Sequence, residues 1–442
     1  MNSPQIRPPF AASFSVIYFV VCLWIILGTS VAGPWALSAM ILAYMAAWVL
    51  CLLILKRLDP LGARSISRFW DAIQLSPSTL DKTLYGLTIV IVPIVVAHYI
   101  RMGQIPLWTA WNESDYYEIV FIRQNIPELS GTTFNYISSI LIKAIFPFLL
   151  VATFHRRLYK LHAIVYLIAA FYCLSLIQKS FIVVISVSPI LYLLWRRKFI
   201  VAAAYCAVIV FSVGFLVVAT NPSLKPAFTP PKLERSEQSK QAEKLAEKLA
   251  EKMAEGNPKA STGQGMQTIA TAVLDRVAMV PGTSVADWYR LIPSQIPFAK
   301  GCGYRFLVAL LNCDHYQFTQ LEVYKVLNPD LTKMGIFGSI NVASFMEDYA
   351  NFGKWFIAVS APLIAILLYF MGRMFARILP VALPMNFVFI ATLSSASLFT
   401  TLLSGGWFFT ILMLCLFGRA FEERIFRQPK RSRKNETLSA AA

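Results

Sequence analysis

Charge is what this chain is short of. Asp, Glu, Lys and Arg make up 14% of its 442 residues, where a soluble globular protein carries about 25%. The shortage falls mainly on one sign, with 23 acids against 40 basic residues. Histidine is scarcer still at four, and no Cys-x-x-Cys pair or His cluster marks a metal site, so neither metal nor cofactor is expected. A hydrophobic content of 57% excludes disorder and collagen, and seven cysteines in so long a chain exclude a disulfide-stapled miniprotein. No DNA-binding motif accompanies the net charge of +17, so no nucleic-acid partner is expected.

What the chain has instead is uninterrupted apolar sequence. A bilayer core needs about 20 apolar residues per helix, and about ten runs, charge-free except for Lys143, come near that size. They lie at 11–31, 36–55, 84–100, 134–154, 163–178, 181–195, 199–220, 355–371, 381–402 and 407–417. The first is too long for a cleaved signal peptide and a second run follows it at once. The pair at 163–195 is the least secure, because its only polar break is Gln178, Lys179 and Ser180; a tight hairpin, or a re-entrant shortened pair, fits there. The expected class is an all-α polytopic membrane protein.

Basic residues in short connections fix orientation. With the N-terminus inside, the segments assigned to the cytoplasm are 1–10, 56–82, 155–162, 196–198, 372–380 and 418–442. They hold 21 Lys and Arg against 6 acids, +15 of the net +17. The basic balance is therefore mostly a topology signal, and both termini are expected in the cytoplasm. Lys430, Arg431, Arg433 and Lys434 in the tail at 421–442 suit a juxtamembrane flank or lipid headgroups.

The expected organisation is seven spans in 1–220 with an outer loop at 101–133, a large outer loop at 221–354, and three spans in 355–420. The large loop opens with Pro222, Pro226, Pro230 and Pro231. A four-residue repeat follows at 240–255, with Glu243, Glu247, Glu251 and Glu255 in one row and Lys244, Lys248 and Lys252 beside it. Such rows support a solvated helix through i,i+4 pairs. Further on, Arg276, Arg290, Lys300 and Arg305 are interleaved with Trp288, Tyr289, Tyr304, His315 and Tyr316. Rings stack on sugar faces and guanidinium forks match phosphate oxygens; the same mixture also suits an interfacial belt. Cys302 and Cys313 are the two cysteines outside the apolar runs, and on an oxidising side they form a disulfide or remain two thiols.

Ionisable groups in or near spans mark function or pairing. Lys143 stands about two turns below the outer end of its run and Lys179 sits at the hairpin. Each is a snorkelling or turn-capping lysine, or converges with Arg276, Arg290 and Arg305 on a diphosphate. Glu347 and Asp348 immediately precede the eighth run. Adjacent acids at a membrane mouth orient or deprotonate a hydroxyl nucleophile, or pair with the loop arginines.

Four short motifs, in order, carry a resemblance across most of the chain. They are Gly103-Gln104-Ile105-Pro106-Leu107 opening the first outer loop, Lys179 at its hairpin, Asp275-Arg276-Val277, and Tyr349-x-x-Phe352-Gly353 entering the eighth span. In these the chain resembles the bacterial O-antigen polymerases of the Wzy type, which polymerise oligosaccharide repeat units. The resemblance implies a C-type glycosyltransferase-like fold and a metal-independent inverting transferase in the inner membrane. Such an enzyme moves a growing glycan from undecaprenyl diphosphate to the non-reducing end of a new lipid-linked unit, in the periplasmic leaflet. Its partners would be undecaprenyl-diphosphate-linked glycans, membrane lipid and a chain-length regulator. Arg276, with Glu347 and Asp348, would be catalytic; Lys143, Lys179, Arg290, Arg305 and His315 would bind substrate. An O-antigen ligase, for which His315 speaks, and a lipid-linked oligosaccharide flippase or secondary transporter are the alternatives. Against a transporter stands the lack of a repeat between the two halves.

Overall fold

A computed structural model describes residues 13–113, 115–220, 279–333, 335 and 337–426. The charged repeat at 240–255, Arg276 and the basic tail lie outside these residues. Within them the chain is all-helical. The first half holds α1 (Ser13–Ala32), α2 (Trp35–Ile73), α3 (Pro77–Met102), α4 (Pro106–Asn112) and α5 (Tyr116–Ile140). A π-turn at Leu141–Ile145 leads into α6 (Phe146–His155), α7 (Tyr159–Ser175), α8 (Lys179–Trp195) and α9 (Phe199–Ala219). The second half holds α10 (Val280–Leu291), α11 (Arg305–Val308), α12 (Thr319–Leu327), α13 (Pro329–Lys333) and α14 (Ser344–Phe352). It closes with α15 (Phe356–Met374), α16 (Leu379–Thr392), α17 (Leu398–Leu402) and α18 (Trp407–Phe426).

The described parts of the apolar runs read from the sequence fall mostly in helix. Six helical stretches among the described residues are long and apolar enough to cross a membrane: 13–32, 35–58, 77–102, 118–155, 199–219 and 344–374. The chain is thus a multi-pass α-helical membrane protein. α7 and α8, at 17 residues each, are shorter, in keeping with the meagre sequence that encodes them, and a turn at 176–178 joins them. Two places depart from the sequence expectation. The segment 101–133 is mostly helix rather than loop, formed by α4 and the first half of α5, which bends at Gly131 (φ 74°). The run 381–402 is broken at 393–397, where Ser397 starts α17 by accepting a hydrogen bond from the Thr400 amide.

The π-turn has a local cause. Pro147 has no N–H to return to the Lys143 carbonyl, and the Phe146 amide reaches back five residues to Leu141 O. The ladder widens at Lys143.

Packing sorts the connections into two ends. At one, Arg156 makes a bidentate bridge to Asp81, both bonds 2.7 Å. At the same end Gln74 enters the α18 backbone, donating to Cys415 O at 3.0 Å and accepting from the Arg419 amide at 2.6 Å. These residues come from, or border, segments the charge pattern assigns to the cytoplasm. At the other end α10, part of the large loop, lies on α1. A Cβ on Gly282 would come within 2.4 Å of the Gly28 backbone, so this crossing is of the kind that small residues allow. Arg290 closes the contact from the last turn of α10 by donating to Ala32 O, where α1 leaves its carbonyls unpaired. Trp288, fully buried, fills the space beneath.

Candidate functional site

α14 positions the acids. Residues Ser344 to Asn351 are all buried, which is unusual for a helix with this much polar sequence, so its polar groups need partners. Its first turn is tied to the break between α16 and α17: the Ser344 amide donates to Leu393 O at 2.8 Å, and Ser344 Oγ accepts from the Leu398 amide at 3.1 Å. Its last turn is tied to the large loop. The Ala299 amide donates to Ala350 O at 2.9 Å, and the Gly303 amide to Asn351 Oδ1 at 3.0 Å. Gly353, at φ 59° and ψ −140°, then breaks the helix from α15, a conformation open to glycine.

Glu347 and Asp348 are 7% and 5% exposed. Neighbouring residues on a helix point about 100° apart, so the two carboxylates meet different partners. Asp348 accepts a hydrogen bond from Tyr304 Oη. Burial, then the charges of Asp348 and Glu347, push the Tyr304 phenol well above its ordinary range, so it keeps its proton and acts as donor. Glu347 points toward Gln320, the Ser397 backbone and Tyr316, and its Oε2 has no hydrogen-bond partner among the described residues. Neither acid makes an ion pair among those residues. Buried carboxylates held by hydroxyls and amides rather than by cations retain their capacity to accept a proton.

The loop supplying Tyr304 is closed by a disulfide between Cys302 and Cys313, one of the two states left open by the sequence. The Gln317 amide returns to Cys302 O at 3.0 Å, which brings Tyr316 alongside. Arg305 lies over the Tyr316 ring, 4.9 Å from its centroid, and donates to Tyr136 Oη on α5 at 2.9 Å. Burial and Glu347 raise the Tyr316 phenol while Arg305 lowers it, so Tyr316 stands between acid and guanidinium. His315, one residue before, is exposed. Phe306, Phe352 and Phe399 pack around Tyr304. The result is one acidic, aromatic patch with the Arg305 guanidinium at its rim.

Of the residues singled out from sequence, Glu347, Asp348 and Arg305 come together here, with His315 adjacent on the chain. The other cations do not join them through any contact among the described residues. Arg290 is engaged with Ala32 O and lies 3.6 Å from Asp287. Lys143, half-buried in the π-turn, has no polar partner among the described residues. Lys179 lines a cavity with Arg123. Tyr136 and Asn351 were not anticipated. Tyr304 and Tyr316 were visible only as members of an aromatic and cationic run, and nothing in that pattern distinguishes the tyrosine that faces the acids. No family model matches the chain, and neither a curated protein nor a solved structure is similar to it.

Proposed function

We propose that the chain is an inverting glycosyltransferase that polymerises lipid-linked oligosaccharide repeat units, transferring a glycan from undecaprenyl diphosphate to a hydroxyl of a second lipid-linked unit. The observation that carries this reading is the buried acid pair, with Tyr304 donating to Asp348, at the end of a membrane helix and beside an Arg305–Tyr316–Tyr136 surface. Aromatic faces and a planar fork suit a sugar, and buried carboxylates suit the activation of its hydroxyl. In the proposed step the acceptor O–H gives its proton to the carboxylate of Asp348. The acceptor oxygen forms a bond to the anomeric carbon from the face opposite the leaving group, and the bond from that carbon to the diphosphate oxygen breaks. Tyr304 fixes the orientation of the carboxylate, while Glu347, with one oxygen unpartnered, binds a second hydroxyl. The diphosphate leaves with a negative charge that cations must stabilise; Arg276 is the residue proposed for this from sequence. In this reading the protein sits in the bacterial inner membrane with both termini in the cytoplasm, and a chain-length regulator is its partner.

The ligase reading rests on His315, exposed one residue from Tyr316. Lipopolysaccharide from a deletion strain separates the two. Loss of a polymerase leaves lipid A core carrying one repeat unit; loss of a ligase leaves bare core with polymer retained on the carrier lipid. A normal ladder rejects both.

A further inference from the structure

A second concavity lies away from the acids, where α5, the α7–α8 turn and the end of α9 meet. It is a cavity of about 200 Å³ lined by Ile119, Val120, Arg123, Ile177, Lys179, Val217 and Thr220. Two cations and one hydroxyl converge in it, and no acid is among its described lining residues. The Arg123 side chain has no ion-pair or hydrogen-bond partner among the described residues. Next to it runs an apolar groove of about 330 Å³ between α4, α7 and α9, lined by Trp108, Trp111, Phe171 and Phe215 among others. The two share a wall, because Leu107 of the groove packs on the buried cluster of Ala110, Ile119 and Ile177, and the last two line the cavity. Trp111 and Phe215 stack with centroids 5.8 Å apart and planes at 17°, giving the groove a flat aromatic side.

The groove lies on the outside of the bundle. Trp108 is 70% exposed and Phe171 55%, on helices whose other exposed residues are apolar except for Asn112 and Lys160 near their ends. The pocket is set near helix ends: Lys179 opens α8, Thr220 follows the last residue of α9, and Arg123 stands in the second turn of α5. Apolar length ending in a positive pocket at the level of helix termini is the complement of a membrane lipid, whose tail ends in a phosphate at the interface.

The geometry points to a specific site for an anionic glycerophospholipid, its phosphodiester held by Arg123 and Lys179 beside Thr220 and one acyl chain laid along the Trp108–Trp111–Phe171–Phe215 groove. A glycerophospholipid is chosen because the groove opens on the surrounding bilayer rather than on the acid pair, so its occupant is drawn from the lipids that bathe the helices. The site stands independently of the polymerase reading and shares no residue with the acid patch.

The test uses the full chain in detergent micelles, titrated with phosphatidylglycerol or phosphatidylcholine carrying brominated chains, which quench nearby tryptophans. The part of the quench that disappears in Trp108→Phe/Trp111→Phe reports the groove. That part should reach its midpoint at about tenfold lower mole fraction for phosphatidylglycerol than for phosphatidylcholine, the scale expected for basic residues at an interface. Arg123→Gln/Lys179→Gln should bring the two midpoints together by weakening phosphatidylglycerol more than phosphatidylcholine, and a groove-dependent quench that persists with phosphatidylcholine shows that the variant is folded. Equal midpoints in the wild-type protein, or a preference that survives in the double variant, overturns the site. Two competitors test the occupant. An isoprenyl phosphate that displaces brominated phosphatidylglycerol at lower mole fraction than unlabelled phosphatidylglycerol does overturns the choice of a glycerophospholipid. Glycerol phosphate displacing it in the same range overturns the role of the groove.

Discussion

The acid patch on α14 and the cation pocket at the α7–α8 turn solve opposite problems. Around Glu347 and Asp348 the fold has removed charge from water and supplied the Tyr304 phenol, the Gln320 side chain and the Ser397 backbone in place of counter-ions. Burying a carboxylate this way is expensive, and the surrounding structure carries the cost through the many tethers on α14. Around Arg123 and Lys179 the charges remain exposed, where they cost little and also bind weakly one at a time. A buried, over-determined acid is poised to move a proton in a fixed direction; an open pair of cations is suited to hold an anion that comes and goes. In the proposed reading, chemistry and attachment fall to different parts of one bundle.

The sharpest way to break this contrast is Asp348→Asn. The amide keeps an oxygen for Tyr304 but cannot take a proton, so transfer between lipid-linked units should fall by about 10²- to 10⁴-fold with the protein still folded; near-wild-type turnover in a reconstituted assay would remove Asp348 from the chemistry. Next comes Arg276→Lys, which should cost roughly 3 to 4 kcal/mol of transition-state stabilisation if a guanidinium fork holds the leaving diphosphate. Unchanged single-turnover rates would move that role to another cation. Tyr304→Phe removes a donor to a buried carboxylate, worth about 1.5 to 3 kcal/mol. It should lower kcat more than it raises KM, and because the phenol stays protonated, the pH–rate profile should lose no alkaline limb up to about pH 9. Gly282→Val acts on neither site. Its extra carbons meet the Gly28 backbone, and overpacking of this kind should destabilise the α1–α10 contact by about 1 to 3 kcal/mol, seen as a lower melting temperature in detergent. Smallest of all is Lys248→Glu in the charged repeat, expected to stay within about 0.5 kcal/mol and to leave polymerisation unaltered; a large loss there would mean that the repeat meets a partner rather than water.

Much of the helical framework was legible because a membrane span is written in one dimension. Every stretch such as 84–100 or 199–220 is set by the need to keep backbone polar groups paired in hydrocarbon, and no partner has to be known to find it. The helicity of 101–133 was not legible: α4 is amphipathic and short, with Trp108 outward and Ala110 buried, and it holds only because Ile119 and Ile177 cover it. The site was half legible. Glu347 and Asp348 stood out as acids beside an apolar run, and Arg305 as one cation among several. Yet Arg305 and Arg290 look alike in sequence, and only packing gives one a tyrosine face and the other the end of α1.

The sequence by itself determined the class of the protein, the positions of its apolar helices and the two cysteines able to pair, since each follows from local composition against a bilayer or an oxidising exterior. Tertiary structure decided the rest. It set Tyr304 against Asp348 across 44 residues, committed Arg290 to Ala32 across 258, and placed Lys179 beside Arg123 instead of the acids. Contacts between distant segments depend on shape and on which unpaired group lies within reach, and neither is encoded in the spacing of residues along the chain.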